Sequence, residues 1–588
     1  MGKTNIYKNV LFLIGSEEKR NFFYILYLSI VSVILDLFGI SLVIPLLTLI
    51  STDGIDSFFT AIPFAREVLQ DFTKKEIFIY TAGTIISYFF LKGMFNVYFN
   101  WKERSFLQNL RVKISKRLYT KYLNKNLIFL LDFNSSKILR NIEQETHLIC
   151  TSYINSTLKL FLEVILTISF SIMMFYFNFI ESVIVFFIML LISLTHLYVV
   201  KNRLSEYGLE RITNSQKIIE NINESFSLIK EIQILNKISE VVKKFTFFQK
   251  RNAKIAIYEE MVNFLPAIYF EFLAVASICI VLMVSIIQGN NMGETISSAG
   301  LFAVIAVKLM PSLKRAISNV SNLIHHIPTV DNIIHDLKSE NDNFEKYEEN
   351  SQVENFLKNK INNNSTLSLK NLSFYYNDPK QDFKKNIFLD TAIDLKFNSI
   401  NGIVGESGTG KTTFINLLSG LFKAQKGSFK IDSTSLESLS QLTPFIGYVS
   451  QHTNLSDNSI LNNISFESDK DKVDFDKINN LLEMLNLKSL IEDLPNGIDT
   501  NLGEQGLKFS GGQRQRIAIA RSLYLEKKIL IFDEATSSLD TENEMKFFEI
   551  IKKIKKDKII ICISHKKNLL DFCENVYSIS DYKFNKIK

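Results

Sequence analysis

Long apolar stretches fill the first half of the chain, whereas the second half has only short ones. A helix of about 20 residues crosses the ~30 Å core of a bilayer. Six stretches reach that length, near residues 21–50, 76–100, 152–178, 180–200, 258–287 and 296–324. Further on, the short run Ile400–Val404 predicts a buried strand, and Phe414–Leu421 predicts a helix. The pattern therefore predicts a helical membrane domain followed by a domain of strands and helices.

Lys and Arg are unevenly distributed among the connections between these stretches. Trp101–Thr151 holds ten and Lys201–Tyr258 holds eleven, whereas residues 51–75 hold three and the turns near 179 and 290 hold none. Because basic connections stay on the cytoplasmic side, both long connections, both termini and the second domain are predicted to be cytoplasmic.

Composition and length agree with a division into unlike parts. The 588 residues are 47% hydrophobic and 22% charged, an average typical of neither a soluble nor a wholly membrane-embedded chain. We predict a transmembrane domain over residues 1–330, a polar linker over 331–365 and a second domain over 366–588. The net charge of +6 is accounted for by basic loops beside apolar stretches, and because no nucleic-acid motif accompanies it, no nucleic-acid partner is expected.

The four cysteines have no paired spacing. They predict neither a disulfide framework nor a metal site, and we expect all of them to be core residues. They are Cys150, Cys279, Cys562 and Cys573.

A glycine-rich segment between the predicted strand and helix fits the pattern G-x-x-x-x-G-K-[ST]. Its glycines let backbone N–H groups turn towards phosphate oxygens, Lys411 would reach the β- and γ-phosphates, and Thr412 offers a hydroxyl to Mg²⁺. A strand-to-helix turn without a ligand is the alternative. The candidate nucleotide-binding residues are Gly405, Glu406, Ser407, Gly408, Thr409, Gly410, Lys411, Thr412 and Thr413.

Two carboxylates follow the apolar positions Ile529–Phe532. A buried parallel strand delivers such acids to the carboxyl edge of its sheet. Asp533 would hold Mg²⁺ there, and Glu534 would polarise the attacking water. The expected cofactors are ATP and Mg²⁺.

The stretch Phe509–Gln513, with sequence FSGGQ, lies about 20 residues before these acids. Together with the motifs above, it resembles the nucleotide-binding domain of ABC transporters, whose signature is usually written LSGGQ. Phe509 replaces one apolar residue with a bulkier one. The resemblance implies an all-α transmembrane domain of six helices with the ABC exporter fold, followed by an α/β P-loop nucleotide-binding domain with an antiparallel β subdomain.

The resemblance also implies roles for single residues. Tyr376 would stack on adenine, Gln451 would sense Mg²⁺ and water, Asp540 would lie in the loop that crosses the dimer interface, and His565 would contact the γ-phosphate. Alone, each has a plain alternative, such as a strand aromatic, a loop amide or a buried histidine. The implied catalytic residues are Glu534, His565 and Gln451, and the implied Mg²⁺ ligands are Thr412, Gln451 and Asp533.

One nucleotide-binding domain after six spans corresponds to a half-transporter. In this family the signature loop of a second copy completes each ATP site, so the resemblance implies a homodimer with two competent sites. The residues acting in trans would be Ser510, Gly511, Gly512 and Gln513. Glu224–Ile232 resembles the second coupling helix of exporters, and Asn126–Asn134 lies where the first would be; ordinary amphipathic surface is the alternative for both.

An indication of the cargo comes from ionisable residues inside the predicted spans. Placing such a residue in hydrocarbon is unfavourable, so each tends to face a cavity or a partner. Lys308 and Arg315 lie two helical turns apart on one face, and Lys92 is a third candidate. Such cations suit a phosphate or pyrophosphate group. The alternative is that they snorkel or pair with Asp36 or Glu271.

Three membrane segments resemble the PglK-type flippases of lipid-linked oligosaccharides, namely Ile40–Leu49, Ile268–Glu271 and Lys308–Ser312. One departure is Ala267, where that family has a basic residue. The resemblance implies an ATP-driven flippase of a polyprenyl-pyrophosphate oligosaccharide in the bacterial cytoplasmic membrane, and an external helix within residues 51–75. The alternative is an exporter of another lipid, a peptide or a drug, and in either case the partners are the bilayer, a second copy and an amphipathic substrate.

Overall fold

A computed structural model of the chain divides into two compact units. The first comprises Met1–Asn124 and Asp132–Asn341, and the second comprises Lys125–Leu131 and Asp342–Lys588. The predicted residues Asp540 and His565 and residues 51–72 lie outside the part that the structure describes. The described residues are 6–42, 73–125, 127, 134–177, 179–287, 292–339, 365–378, 383–451, 453–467, 469–503, 506, 508–536, 541–564 and 569–588.

The first unit is built from long helices. They are α1 (Ile6–Ser41), α2 (Lys74–Leu123), α3 (Asn155–Phe177), α4 (Phe179–Ser227), α5 (Ile238–Ile287) and α6 (Met292–Lys338), with short helices at Ser135–Leu139, Thr146–Leu148 and Ile229–Ile234. Five helical segments among the described residues are long and apolar enough to cross a membrane, and each overlaps one of the first five predicted spans. The sixth predicted span, 296–324, falls on α6, in which the side chains of residues 292–308 lie outside the described part.

The helices extend well beyond the apolar stretches that predicted them. The predicted linker was to begin at Asp331, but α6 continues to Lys338. Val330, Ile333 and Ile334 keep the helical spacing of three and four residues, and they are buried in the same core as Leu110. Burial of this face outweighs the polar residues that suggested an earlier boundary, and the helix also continues through Pro328.

The helix that enters α3 is not a regular α-helix. Arg140–Glu145 and Ile149–Ile154 are π-helical, and α3 follows the second of them without a break. Arg140 is 2% exposed and pairs with Glu145 at 3.6 Å, while Arg211 of α4 donates to the same carboxylate at 2.8 Å. This buried ion network joins the π-helical turns to α4.

The second unit contains two sheets. Its strands are β1 (Thr366–Asp378), β2 (Phe383–Lys396), β3 (Ser399–Val404), β4 (Lys426–Ile431), β5 (Thr434–Leu436), β6 (Ile446–Val449), β7 (Ile529–Asp533), β8 (Ile559–Ile563), β9 (Asn575–Ser580) and β10 (Lys583–Lys586). The first sheet is antiparallel with the order β2-β1-β4-β5. The second has the order β10-β9-β3-β8-β7-β6 and is parallel except for the β9–β10 hairpin. The predicted α/β domain with an antiparallel β subdomain is confirmed.

Helices surround the parallel sheet. They are α7 (Lys411–Leu418), α8 (Ile460–Ser465), α9 (Phe475–Met484), α10 (Lys488–Glu492), α11 (Gly511–Tyr524), α12 (Thr541–Ile554) and α13 (Leu569–Phe572). The segment Lys125–Leu131 from the first basic connection is part of this unit, and Leu127 packs against the core beneath β1 and α7. It overlaps the stretch Asn126–Asn134 that the sequence suggested as the first coupling helix, of which only Leu127 and Asn134 lie in the described part of the chain.

The expectation that every cysteine is a core residue was wrong for one of them. Cys150, Cys562 and Cys573 are buried, but Cys279 of α5 is exposed. An exposed apolar side chain on such a helix is favourable in hydrocarbon, so apolar surroundings in the sequence did not imply packing inside the protein.

Candidate functional site

The glycine-rich segment forms the turn between β3 and α7. Gly408 has φ +84° and Gly410 has φ +108°, backbone conformations that L side chains rarely adopt. A Cβ at Gly410 would also lie 2.6 Å from a side-chain carbon of Ile387. Gly410 is the N-cap of α7 and supplies no side-chain bond to it, so backbone N–H groups at this helix end are available to an anion.

Lys411 turns back over this loop. Its Nζ donates to the backbone carbonyl oxygens of Gly405 at 2.7 Å and Glu406 at 2.8 Å, and the residue is 7% exposed. Burial lowers the pKa of Lys411, and the negative charges of Glu534 and Asp533 act in the opposite direction. β3 leads into Lys411 and β7 ends at Asp533, and both strands run parallel to β8 between them, so the predicted cation and the predicted carboxylates lie at the same edge of the sheet.

The two threonines after Lys411 have different surroundings. Thr412 is exposed in the first turn of α7, whereas Thr413 is buried and its hydroxyl lies 3.1 Å from that of Tyr376. The Tyr376 ring packs edge-on against Phe374 and Phe422 at centroid distances of 5.2 and 5.9 Å. The predicted adenine-stacking residue therefore contacts the first turn of α7, directly after the glycine-rich turn, through Thr413.

Asp533 is the last residue of β7 and is 7% exposed. The Tyr448 hydroxyl, from the neighbouring strand β6, donates to its Oδ2 at 3.3 Å. Burial raises the pKa of Asp533. The Tyr448 hydrogen bond and the charge of Lys411 lower it, and Glu534 raises it. Burial also raises the pKa of Tyr448, so this phenol remains a hydrogen-bond donor.

Glu534 is held in a backbone conformation that is unusual for its type. Its φ is +48°. Two hydrogen bonds hold its backbone: the Glu534 N–H donates to the backbone oxygen of Ile563 at 3.0 Å, and Gln515 Nε2 donates to the backbone oxygen of Glu534 at 3.3 Å. Gln451 Nε2 donates to Glu534 Oε2 at 2.6 Å. Strain that is retained in this way at a carboxylate is typical of a functional position.

The signature segment forms the start of α11. Ser510 is the N-cap and makes a capping box with Gln513, with distances of 3.3 Å from Gln513 N to Ser510 Oγ and 2.8 Å from Ser510 N to Gln513 Oε1. Phe509 is buried in the core beneath α11, so the bulkier residue is accommodated there. Among described residues, no hydrogen bond or ion pair joins Ser510–Gln513 to Gly405–Thr413.

Two of the three predicted substrate cations are engaged in ion pairs. Lys92 of α2 donates to Asp36 of α1 at 2.5 Å, as the pairing alternative anticipated. Arg315 of α6 pairs with Glu163 of α3 through both Nε and NH2, the latter at 3.1 Å. The partner of Arg315 was therefore predicted wrongly, because neither Asp36 nor Glu271 takes that place. The Lys308 side chain lies outside the described part of the chain.

The sequence did not indicate several of these partners. Tyr448 stands three residues before Gln451, but only the register Tyr448↔Ile531 brings it beside the end of β7. Glu163 was one of several acids in apolar stretches, and the packing of α3 against α6 selects it. Strand register and helix contacts are properties of the folded chain, so a linear motif does not contain them.

Parts of the chain are similar in sequence to known proteins. Residues 389–537 match the sequence profile of the ABC transporter family. An export ATP-binding/permease protein assigned in Rickettsia typhi is 30% identical over 383 residues, which are 62% of this chain and 62% of that protein. An ATP-dependent lipid A-core flippase of Mannheimia succiniciproducens is 34% identical over 215 residues, which are 36% of each chain. The matched segments thus span less than two thirds of the length of these relatives.

A solved structure extends the similarity to nearly the whole chain. The structure of a bacterial Atm1-family ABC exporter with ATP bound aligns with a TM-score of 0.77, covering 97% of this chain and 94% of that one at 16% sequence identity. The fold is therefore that of an ABC exporter, with a multi-pass membrane domain followed by an ABC nucleotide-binding domain.

Proposed function

We propose that this chain is an ABC half-transporter that uses ATP hydrolysis to export an amphipathic lipid across the bacterial cytoplasmic membrane, with its nucleotide-binding domain in the cytoplasm. The observation that carries the proposal is the pairing of Gln451 with Glu534 beside the buried Asp533. A strained carboxylate, a second acid and a phosphate-loop lysine in one electrostatic site are what hydrolysis of a nucleoside triphosphate requires.

Oxygen donors suited to Mg²⁺ are present at the site. Asp533 offers a carboxylate, Thr412 an exposed hydroxyl and Gln451 the amide oxygen left over when its nitrogen bonds to Glu534. These are hard oxygen ligands, the kind that Mg²⁺ prefers beside phosphates. When bound, the ion would neutralise charge on the β- and γ-phosphates.

The remaining roles belong to residues of the chain itself. Lys411 exchanges its two carbonyl acceptors for phosphate oxygens, and Tyr376 stacks on the adenine ring. Glu534 orients and polarises the attacking water, with Gln451 holding its carboxylate. We include Asp540 and His565 in the proposal on their motifs alone, as the dimer-loop residue and the γ-phosphate contact.

The first experiment is Glu534→Gln. We expect ATP to bind with near-parental affinity and hydrolysis to fall at least about a hundredfold, because the base is lost while the phosphate contacts remain. Steady-state ATPase rates and nucleotide binding on purified protein measure both. Glu549→Gln, an exposed acid on α12, is the matched control. Turnover of Glu534→Gln near the control rate would remove Glu534 from this role.

For cargo, we propose a lipid with an anionic head, and more specifically a polyprenyl-pyrophosphate oligosaccharide. Charged pairs inside apolar helices support an anionic head group. The side chain of Arg315 is half exposed although that of its partner Glu163 is nearly buried, so part of this cation is not covered by the protein. The named relative that flips lipid A-core supports lipid as the class. That relative aligns with this chain over 215 residues. Export of another lipid, a peptide or a drug is the second candidate.

A flipping assay in vesicles with a lipid-pyrophosphate oligosaccharide tests the cargo. Replacing Lys92, Lys308 and Arg315 together with Gln is expected to abolish flipping while basal ATP hydrolysis persists, because the hydrolytic residues lie in the other unit. The double variant Glu163→Gln/Arg315→Gln distinguishes a role of Arg315 in binding the cargo from a role in pairing with Glu163. If Arg315 serves only as the partner of Glu163, this variant flips normally per folded molecule, and normal flipping by the triple variant would exclude the cationic path altogether.

A further inference from the structure

A narrow groove of about 420 Å³ runs between α3, α4 and α6. Its walls are almost wholly apolar. The hydroxyls in its lining are already satisfied: Ser171 donates to the Thr167 backbone oxygen and Ser193 to that of Met189, each at 2.7 Å, and Thr167 lies 3.4 Å from Ser312. The groove therefore presents hydrocarbon to an occupant and has no free donor among these hydroxyls.

The two ends of the groove differ. At the end near the α3–α4 turn, Phe175 and Phe186 meet edge to face, with ring centroids 5.7 Å apart. At the other end the lining finishes with Leu197 of α4, and Lys201 follows one turn later on the same face. Lys201 is exposed and has no ion pair with a described residue. Two aromatic rings thus line one end of the groove, and Lys201 lies one helical turn beyond its other end.

The length of the groove matches one acyl chain of a single leaflet. From Phe186 to Leu197 the groove follows eleven residues of α4, or about 16 Å at 1.5 Å per residue, which is about half of the bilayer core. This length and the apolar walls favour a single hydrocarbon chain as the occupant.

The groove is separate from the proposed path of the cargo head group. Its lining residues on α6 are Leu313, Ala316, Ile317 and Val320, spaced three and four residues apart on one face. Arg315 lies on a different face of the same helix. An occupant of the groove would therefore not reach the guanidinium of Arg315, one of the cations proposed for transport.

We propose that this groove is a binding site for an anionic lipid of the cytoplasmic leaflet, with one acyl chain between α3, α4 and α6 and the phosphate at Lys201. The charge of Lys201 and the basic connection that follows it match such a head group. The lipid stays bound while cargo moves elsewhere, so the site tunes the stability of the membrane domain and is not a step of transport.

Native mass spectrometry of the delipidated full-length protein tests the site, with phosphatidylglycerol and phosphatidylcholine as the probes. Ser193→Phe fills the groove, and Leu191→Phe adds a bulky side chain at an exposed position of α4 as its control. Lys201→Gln removes the charge, and Lys243→Gln is its control. We expect Ser193→Phe to lose the retained lipid, and Lys201→Gln to weaken phosphatidylglycerol about fivefold without affecting phosphatidylcholine.

Several results would overturn the proposal. If Ser193→Phe retains as much lipid as Leu191→Phe, the groove holds no chain. If Ser193→Phe instead changes the oligomeric mass, the groove is covered by a second copy. Equal weakening of both lipids in Lys201→Gln would exclude recognition of the head group. Because lipid retention is measured without ATP, these outcomes are independent of whether the proposed export activity is correct.

Discussion

At the residue scale, the site combines a buried acid with a strained one. Asp533 is buried at the end of β7, and Tyr448 and Lys411 only partly offset the unfavourable burial of its charge. Glu534 keeps a positive φ that costs free energy. Stability is therefore reduced locally at the two carboxylates to which we assign hydrolysis in the proposed function, which is the usual relation between stability and activity.

This predicts that Asp533→Asn is more stable than the parent at neutral pH. The folded-state pKa of Asp533 lies above its unfolded value, so the cost of its charge is absent below the unfolded pKa and grows as pH rises through the folded pKa. Asparagine removes that cost. We expect a Tm gain of roughly 2–4 °C for each kcal/mol removed, present at pH 7–8 and absent near pH 4.

Thermal unfolding of the full-length protein across this pH range measures the effect, and Asp457→Asn, which removes an exposed carboxylate, is the control. A gain that persists unchanged at pH 4 would show that ionisation of Asp533 is not its cause. ATP hydrolysis should be lost in Asp533→Asn under all conditions.

At the element scale, α4 and α6 approach each other closely enough to require a glycine. A Cβ on Gly208 of α4 would lie 2.1 Å from the backbone oxygen of His325 in α6, and 3.5 Å from Pro328. The clash is with backbone, so a rotamer change cannot relieve it. Small residues at such crossings let two helices pack directly against each other.

Gly208→Ala should therefore separate α4 from α6 and destabilise the first unit by about 1–3 kcal/mol, as overpacked cores do. Gly93→Ala on α2 is the control, because nothing lies within 4 Å of its added Cβ. There, helix propensity predicts a gain of up to about 1 kcal/mol. Thermal unfolding in detergent compares the two, and equal melting temperatures would contradict the close crossing.

How much the sequence predicted also depends on scale. The local structure of the glycine-rich turn, of the paired acids and of the FSGGQ segment was predictable because each is a linear motif with its own strand or helix beside it. The partner of Arg315 and the donor to Asp533 were not, because packing of α3 and register of β6 decide them. The end of α6 was missed for a related reason, since the apolar face that extends it becomes visible only with its packing partners.

At the scale of the whole molecule, the described residues hold the parts of the proposed nucleotide site without joining them all. Ser510–Gln513 caps α11 and makes no described bond to the phosphate loop. Two copies related by a twofold axis could each complete the site of the other. The proposed half-transporter therefore requires a dimer for activity.

Mixing two inactive chains tests this arrangement. A Lys411→Ala chain paired with a Ser510→Ala chain has one doubly altered and one intact composite site. Random pairing should restore roughly a quarter of the parental ATPase rate, since half of the dimers carry one intact site of two. Each variant alone is the control. A mixture as inactive as its components would show that the sites are built within one chain.

The π-helical turns before α3 determine which way side chains point at the start of the continuous helix that runs from residue 135 to the end of α3, relative to side chains further along it. Each of these turns closes its hydrogen bonds over five residues, one more than an α-turn, and a residue of α-helix corresponds to about 100° of rotation. The cytoplasmic end can thus direct Arg140 towards α4 while the membrane part directs Glu163 towards α6. A one-residue deletion within 140–154 would consequently leave the helix intact but rotate one of these side chains away from its partner. Among related chains, a gap there marks a change of helical phase and not of loop length.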